Sequence, residues 1–403
     1  MKKAILIFTL FASSIISKGD GWTQKADFGG LTREAAVGFS IGDIGYIGTG
    51  RNANNAYEND LWGWNQSTNT WTQMASLPAT PRWGAIGFSI GKKGYIGTGA
   101  IAYAVGIEDF WEYDQPNNSW TQRANFPPGT RWSATGFSIG EKGYICFGII
   151  PFQTAAQDLW EWDRLTDTWT QKANFGGNPR WDAVAFSIGT KGYVGMGYDG
   201  NSNFNDFWEW DQTSDTWTQK ATLPAVVRRS PAAFSIGSKG YVGTGLNSSG
   251  SYNDFWEWNQ LTNTWTQKAQ FPGSVRFWDV GFSIGGRGYI GTGSNYSIDF
   301  QDYYEYNPDS ITTGMNEIRN AANTSIYPNP FCNQATLTIA GVETHCNASL
   351  QIYDLSCKIL KTIIVGDRKE ITINREGLSN GMYFYKLVSD DNSVLSIGKM
   401  IVE

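Results

Sequence analysis

The sequence predicts an all-β chain, most of it a single unit written six times. Three observations predict this. The tripeptide Trp-Thr-Gln begins at Trp22, Trp71, Trp120, Trp169, Trp217 and Trp265, at spacings of 49, 49, 49, 48 and 48 residues. Between these copies stand short segments such as Phe-Ser-Ile-Gly and Asp-Phe-Trp-Glu-Trp, which alternate apolar and polar residues with the period of half-buried strands. Gly, Asn and Asp break them at hairpin-like intervals, and no segment of the repeat carries a helical period.

A repeat of this length, with copies too small to bury their own faces, is the mark of a β-propeller with one copy per blade. Each copy has a fixed order. An Arg leads a small-residue strand ending in Phe-Ser-Ile-Gly, as in Arg131 to Gly140, and a tight turn leads into Gly-Tyr-Ile-Gly or a variant. A loop of changing length follows, then the Asp-led strand, as at Asp206 to Trp210, a polar hairpin and the Trp-Thr-Gln strand. First strands follow Arg33, Arg82, Arg131, Arg180, Arg228 and Arg276, which makes six blades over residues 20–307. The last Asp-led strand, Asp302 to Tyr306, has no Trp-Thr-Gln after it, whereas the copy at Trp22 precedes the first Arg. Trp22 to Phe28 is therefore expected to close the ring as the outer strand of the sixth blade. The Gln and basic residues on such outer strands discourage pairing with other chains. All 19 Trp lie between Trp22 and Trp278, mostly at matched positions, and are expected to pack between blades.

Outside the repeats the grammar changes. The chain begins Met-Lys-Lys and runs apolar from Ala4 to Ile16, which reads as a secretory signal peptide over residues 1–19. That run is shorter than the ~20 residues of a membrane span, and no later stretch is long and apolar enough. Residues 308–324 are polar, with Pro, Gly and Asn, and suit a linker. From residue 325 to 403 come alternating strands at Ala335 to Ile339, Leu350 to Tyr353, Ile371 to Ile373, Met382 to Leu387 and Lys399 to Val402, a spacing that suggests a small β-sandwich.

Four pieces of this tail resemble the type A C-terminal sorting domain of the type IX secretion system: Tyr327-Pro-Asn-Pro330, Leu350 to Asp354, Leu378 to Leu387 and Gly398 to Val402. Cys357 departs from the family, which usually has Gly before the Lys. The resemblance implies export by the signal peptide, passage through the outer membrane of a Bacteroidota-like Gram-negative bacterium by its secretion machinery, and release or attachment at the cell surface. The repeats resemble kelch propellers, whose known members include galactose oxidase, sialic acid mutarotases and protein-binding domains, so this resemblance implies architecture and leaves function open.

Composition narrows the chemistry. The single His, His345, lies in the tail, which argues against copper-oxidase chemistry, a His-based zinc site or a Ser-His-Asp triad in the propeller. No metal or cofactor is expected. Net charge is −6 without a basic face, so nucleic acid is not an expected partner, and a monomer is expected. Cys146 stands at a Gly position of the third repeat and reads as a small buried residue. Cys332, Cys346 and Cys357 could supply one disulfide in an exported protein, and their pairing stays open.

Candidate site residues come from comparing copies, because identical positions report scaffold. The Arg before each first strand and the Asp before each third strand recur six times and read as structural ion pairs. The residue after the Arg breaks the pattern: Glu34, Trp83, Trp132, Trp181, Arg229 and Phe277. One place further come Ala35, Gly84, Ser133, Asp182, Ser230 and Trp278. Aromatics beside one Glu and an extra Arg suit stacking on a sugar or gripping a peptide loop. The loops between second and third strands open on the same face and carry Tyr103, Phe152, Tyr198, Tyr252 and Tyr296 at their tips. The expected function is glycan or protein recognition through this face, without catalysis. The alternatives are a sugar-acid mutarotase or epimerase, with Glu34, Arg229 or Asp182 as acid/base and carboxylate-binding groups, and a structural surface component without a ligand.

Overall fold

The computed structural model describes residues 20–102, 105–308, 323–340, 348–354, 359–366, 368–388 and 394–403. The expected signal peptide, Tyr103, most of the expected linker, and Cys346 and Cys357 lie outside these residues. The chain divides into two compact units, Met1–Ser310 and Ile311–Glu403. No α-helix occurs among the described residues.

The first unit contains six four-stranded antiparallel sheets. In the first, Val37–Ile41, Ile44–Gly48, Leu61–Asn65 and Thr70–Met74 lie side by side. Alternation explains their placement: the first strand buries every second side chain, the second is buried almost throughout, and the fourth faces solvent. The sheet that holds Val280–Ile284, Arg287–Gly291 and Tyr303–Asn307 takes its fourth strand from Gly21–Gln24, in register Trp22 to Tyr306.

The sheets stand face against face around a centre and are tied together there by two backbone rings. In the inner ring the amide of Gly84 donates to Ala35 (3.0 Å), Ser133 to Gly84 (2.8 Å), Asp182 to Ser133 (3.0 Å), Ser230 to Asp182 (2.8 Å), Trp278 to Ser230 (3.0 Å) and Ala35 to Trp278 (2.9 Å). All six have φ between 50° and 59°, the left-handed region. In the second ring the amides of Gly50, Gly99, Gly148, Gly197, Gly245 and Gly293 each donate to the carbonyl of the next repeat's leading Arg, the last returning to Arg33.

Side chains follow the same circuit. The Phe of Phe-Ser-Ile in one sheet lies on the Gly of Gly-Tyr in the next. Phe39 covers Gly94, Phe186 covers Gly240 and Phe282 covers Gly45, each so closely that a Cβ there would overlap the ring. At the outer rim the indole N–H of Trp71 donates to Ala26 (3.1 Å), of Trp120 to Ala75 (2.8 Å) and of Trp22 to Ala269 (2.9 Å). The third-strand aromatics Trp64, Trp162, Trp210 and Trp258 are fully buried between sheets.

The Arg-Asp pairs are the scaffold's other fixed element. Arg33, Arg82, Arg131, Arg180, Arg228 and Arg276 are buried, and each grips its Asp through both terminal nitrogens, the Nη2 bond spanning 2.8–2.9 Å. Each Nη1 also donates to the backbone carbonyl before a turn glycine, as Arg180 does to Met196 at 2.8 Å. A buried guanidinium spent this way is not available to a ligand.

The second unit pairs a three-stranded sheet (Asn323–Tyr327, Gln334–Ala340, Glu370–Asn374) with a four-stranded one (Ile359–Gly366, Ala348–Tyr353, Gly381–Val388, Val394–Val402). Leu337, Ile373, Leu350, Ile352, Leu387 and Met400 form its own core. Two strands, Asn323–Tyr327 and Ile359–Gly366, go beyond those the sequence suggested. The second has few alternating signals because it runs at the sheet edge and leaves Ile359 and Ile364 exposed. Cys146 is buried, and Cys332 is exposed and free.

Candidate functional site

The residue after each leading Arg pairs with the start of the loop that follows the second strand. Glu34 pairs with Arg51, Trp83 with Ala100, Trp132 with Ile149, Trp181 with Tyr198, Arg229 with Leu246 and Phe277 with Ser294. This pairing sets each variable residue beside its own variable loop, around the inner ring.

Four aromatic contacts lie here: Trp83 and Trp278 meet edge to face at 5.8 Å, as do Trp181 and Tyr198 at 5.3 Å and Phe277 and Trp278 at 5.2 Å, while Phe277 and Tyr296 are tilted at 4.6 Å. Tyr198 also carries the Arg229 guanidinium on its ring, 4.4 Å from the centroid, and donates its hydroxyl to Gly200 at 2.6 Å. Tyr296 is 72% exposed and has φ 73°. It stands between two hollows.

The first hollow, of about 440 Å³, is lined by Tyr198, Asn201, Asn203, Arg229, Asn247 and Tyr296, with the Ser248–Gly250 turn. The second, of about 370 Å³, holds Glu34, Arg51, Asn52, Trp278, Asp299 and again Tyr296. Glu34 is buried and bonded to both Nε and Nη2 of Arg51. Burial raises its pKa, and nearby Asp299 adds to this, more than Arg51 lowers it.

The centre is a third, smaller hollow of about 120 Å³ lined by the inner ring and the residues after it. Asp182 lies here among Ser133, Ser230 and Trp278. Burial raises its pKa against the pull of those groups and of Arg229. Asp279 is buried in the same wall and accepts a hydrogen bond from Thr244 Oγ1 at 3.0 Å, while its other oxygen has no partner. Burial pushes its pKa up to about 7.

The structure thus brings together Glu34, Trp83, Trp278, Phe277 and Tyr296 on one side, and Trp181, Tyr198 and Arg229 on the other. It sets Trp132 in the interior, where it is buried, and Tyr252 under its loop, its hydroxyl donating to Asn247 at 2.7 Å. Phe152 projects alone, 98% exposed, and Tyr103 is outside the described residues. Glu34 and Arg229 line different hollows. Sequence comparison passed over Arg51, Asp299, Asn247 and Asp279. Arg51 and Asp279 were readable: Arg51 is the basic residue of the first repeat's loop, and Asp279 stands where other copies have Ala36, Ala85, Ala134, Ala183 and Pro231.

No group of three or more His, Cys, Asp or Glu among the described residues is arranged to hold a metal ion. No described helix is long and apolar enough to cross a membrane.

This arrangement defines an all-β, propeller-like unit carried in one chain with a second small β unit. Residues 325–403 match the family of the secretion system C-terminal sorting domain. That domain implies export by type IX secretion to the cell surface or the extracellular space, through contact with its machinery. Among solved structures the chain is similar to YjhT, with a TM-score of 0.61 at 15% identity, over 69% of this chain and 95% of that one. At this identity the likeness supports the propeller-like fold alone. No curated protein matches the chain.

Proposed function

We propose that the first unit is a six-bladed kelch-type propeller, closed by its N-terminal strand, that binds a glycan or a protein outside the cell through its loop face and catalyses nothing. The observation that carries this reading is the contrast between a scaffold repeated six times and a face whose loops and flanking residues vary between repeats. Arg-Asp pairs and the rings of backbone bonds recur without exception. The positions beside them supply four aromatic contacts and two hollows of unlike charge. Rigid aromatics flanked by amides and hydroxyls are the composition of recognition surfaces.

The enzyme reading is less well supported. A mutarotase or epimerase needs its acid/base and its carboxylate anchor on one substrate, but Glu34 faces Arg51 in one hollow and Arg229 lines the other. A purely structural role leaves the divergence of the face without a cause.

The test is to probe glycan and peptide arrays with the mature chain and with Trp83→Ala/Trp278→Ala. Ligands retained by the parent should bind the variant at least 10-fold more weakly. Equal retention by a variant that melts like the parent would remove the site. Acceleration of sugar anomerisation, followed by NMR, would favour the enzyme instead.

A further inference from the structure

Among the described residues, arginine side chains are consistently engaged. The six leading Arg hold their Asp. Arg51 holds Glu34, Arg123 holds Glu112, Arg164 holds Glu141 and Arg287 holds Glu305. Arg368 and Arg375 donate to backbone carbonyls. Arg229 differs: its guanidinium makes no hydrogen bond or ion pair with a described residue, although it is partly buried and lies over the Tyr198 ring, 4.4 Å from the centroid. Five N–H donors fixed in a plane, partly out of water and left unmatched, form half of a bidentate contact.

We propose that the hollow over Arg229 is the subsite for an oxyanion carried by a saccharide, either a sugar carboxylate or a sulfate ester. The assignment rests on the binding reading above and names the ligand chemistry of that face. Contact with the Tyr198 ring restricts the guanidinium before a ligand arrives, which reduces the ordering cost of binding. Around it, Asn201 and Asn203 offer amide groups suited to sugar hydroxyls, the Asn203 Oδ1 being buried without a partner, while Asn247 is held by Val227, Ser249 and Tyr252 and shapes the wall. Tyr296 supplies an exposed aromatic face, the Tyr198 ring being taken up by Arg229 and Trp181. The lining contains no aliphatic side chain, so it lacks the apolar socket that a peptide anchor fills. No carboxylate lines this hollow, whereas Glu34 and Asp299 line the neighbouring one, so an acidic ligand is steered to the Arg229 side.

The experiment uses the mature chain and three immobilised polymers: polygalacturonate, heparin and neutral dextran. Retention is measured by biolayer interferometry at two salt concentrations for the parent, Arg229→Gln, Arg229→Lys and Tyr198→Leu, with melting curves to confirm folding. The parent should hold one of the acidic polymers at least 10-fold better than dextran. Arg229→Gln should lose at least 10-fold of that binding, and Arg229→Lys should recover only part, because an ammonium cannot reproduce the planar fork. Competition by free galacturonate or by glucose 6-sulfate then separates the carboxylate from the sulfate source. Equal acidic-polymer binding by the parent and a folded Arg229→Gln overturns the subsite. Binding of dextran alone overturns it too, but leaves the wider reading standing. Retention of peptides with no glycan bound overturns the saccharide assignment, and silence on every array removes both.

Discussion

Asp279 accepts a hydrogen bond from Thr244 across the boundary between two repeats, 3.0 Å from hydroxyl to carboxyl, with its second oxygen buried and unpartnered. Thr49, Thr98 and Thr292 occupy the equivalent hydroxyl position and are buried without partners. The Thr244 hydroxyl also accepts from the Ala232 amide and bonds the Gly243 carbonyl, so Asp279 adds a partner to a hydroxyl already engaged, at the cost of burying an acid. Burial holds the pKa of Asp279 at about 7, against an ordinary 3.8. Between those two values the folded chain keeps a proton that the unfolded chain releases, so this group's contribution is fully present below 3.8 and is lost as pH rises through about 7. Asp279→Asn should flatten that fall. The check is the difference in urea midpoint between parent and variant from pH 4 to 8. An unchanged difference across the window would refute the assignment.

The buried Arg-Asp pairs make a second, larger claim. Burial raises the Asp254 carboxyl, but Arg228 and the Trp256 indole outweigh it and hold the pKa below the usual range. Asp109→Ala would leave Arg82 charged and buried, and would remove the acceptor of the Trp111 indole at 2.9 Å. A loss of about 3–5 kcal/mol follows from such an uncompensated charge. Denaturant unfolding measures it, and a loss under 1 kcal/mol would show that water reaches the pair.

Close approach at glycine gives a third. A Cβ on Gly240 would overlap the Phe186 ring of the preceding sheet. Gly240→Ala should cost about 1–3 kcal/mol by overpacking, and Phe186→Leu in the same chain should restore part of it, since the two changes act on one contact. Additive losses would place the strain elsewhere.

Why these features differ in legibility is a matter of period. The Trp-Thr-Gln spacing and the six Arg-Asp positions are legible because each performs one packing task in every copy, and repetition marks them in sequence. Arg229 stood out as the cation among Glu34, Trp83, Trp132, Trp181 and Phe277. Its contact with Tyr198 did not, because the two residues belong to neighbouring repeats and meet only when the sheets assemble. Trp132 shows the opposite limit. It matches Trp83 and Trp181 in sequence and pairs with its loop as they do, yet it is 4% exposed, and Gly106 of the preceding repeat's loop lies so close that a Cβ there would overlap its ring. The Glu34-Arg51 pair was readable in principle, because the residue after each leading Arg meets its loop partner at the same offset in every copy, as Trp83 meets Ala100 and Phe277 meets Ser294.

The N-terminal strand yields a fourth prediction. Trp22 packs against Phe255, Phe271 and Tyr306 at centroid distances of 4.9, 5.2 and 5.0 Å. Trp120 occupies the same place in an internal repeat. Trp22→Ala and Trp120→Ala should each cost about 3–5 kcal/mol. Only Trp22→Ala should also raise hydrogen exchange along Tyr303–Asn307, since it frees a strand whose partner comes from the other end of the unit. Equal exchange in both variants would show that the edge holds without its N-terminal partner.

The sorting domain supplies the last. It has its own core of Leu337, Leu350, Ile352, Ile373 and Met400, and the unit before it has its own sheets and backbone rings. The shortened chain should therefore fold, with the melting behaviour of its parent, and should accumulate inside the outer membrane instead of reaching the surface or medium. Fractionation of cells expressing both forms, with proteinase accessibility on intact cells, distinguishes the outcomes. Normal surface appearance of the folded, shortened chain would mean that export does not depend on residues 325–403. Accumulation of an unfolded one would mean that the two units are not independent, and would point to coupling between them instead of a sorting signal.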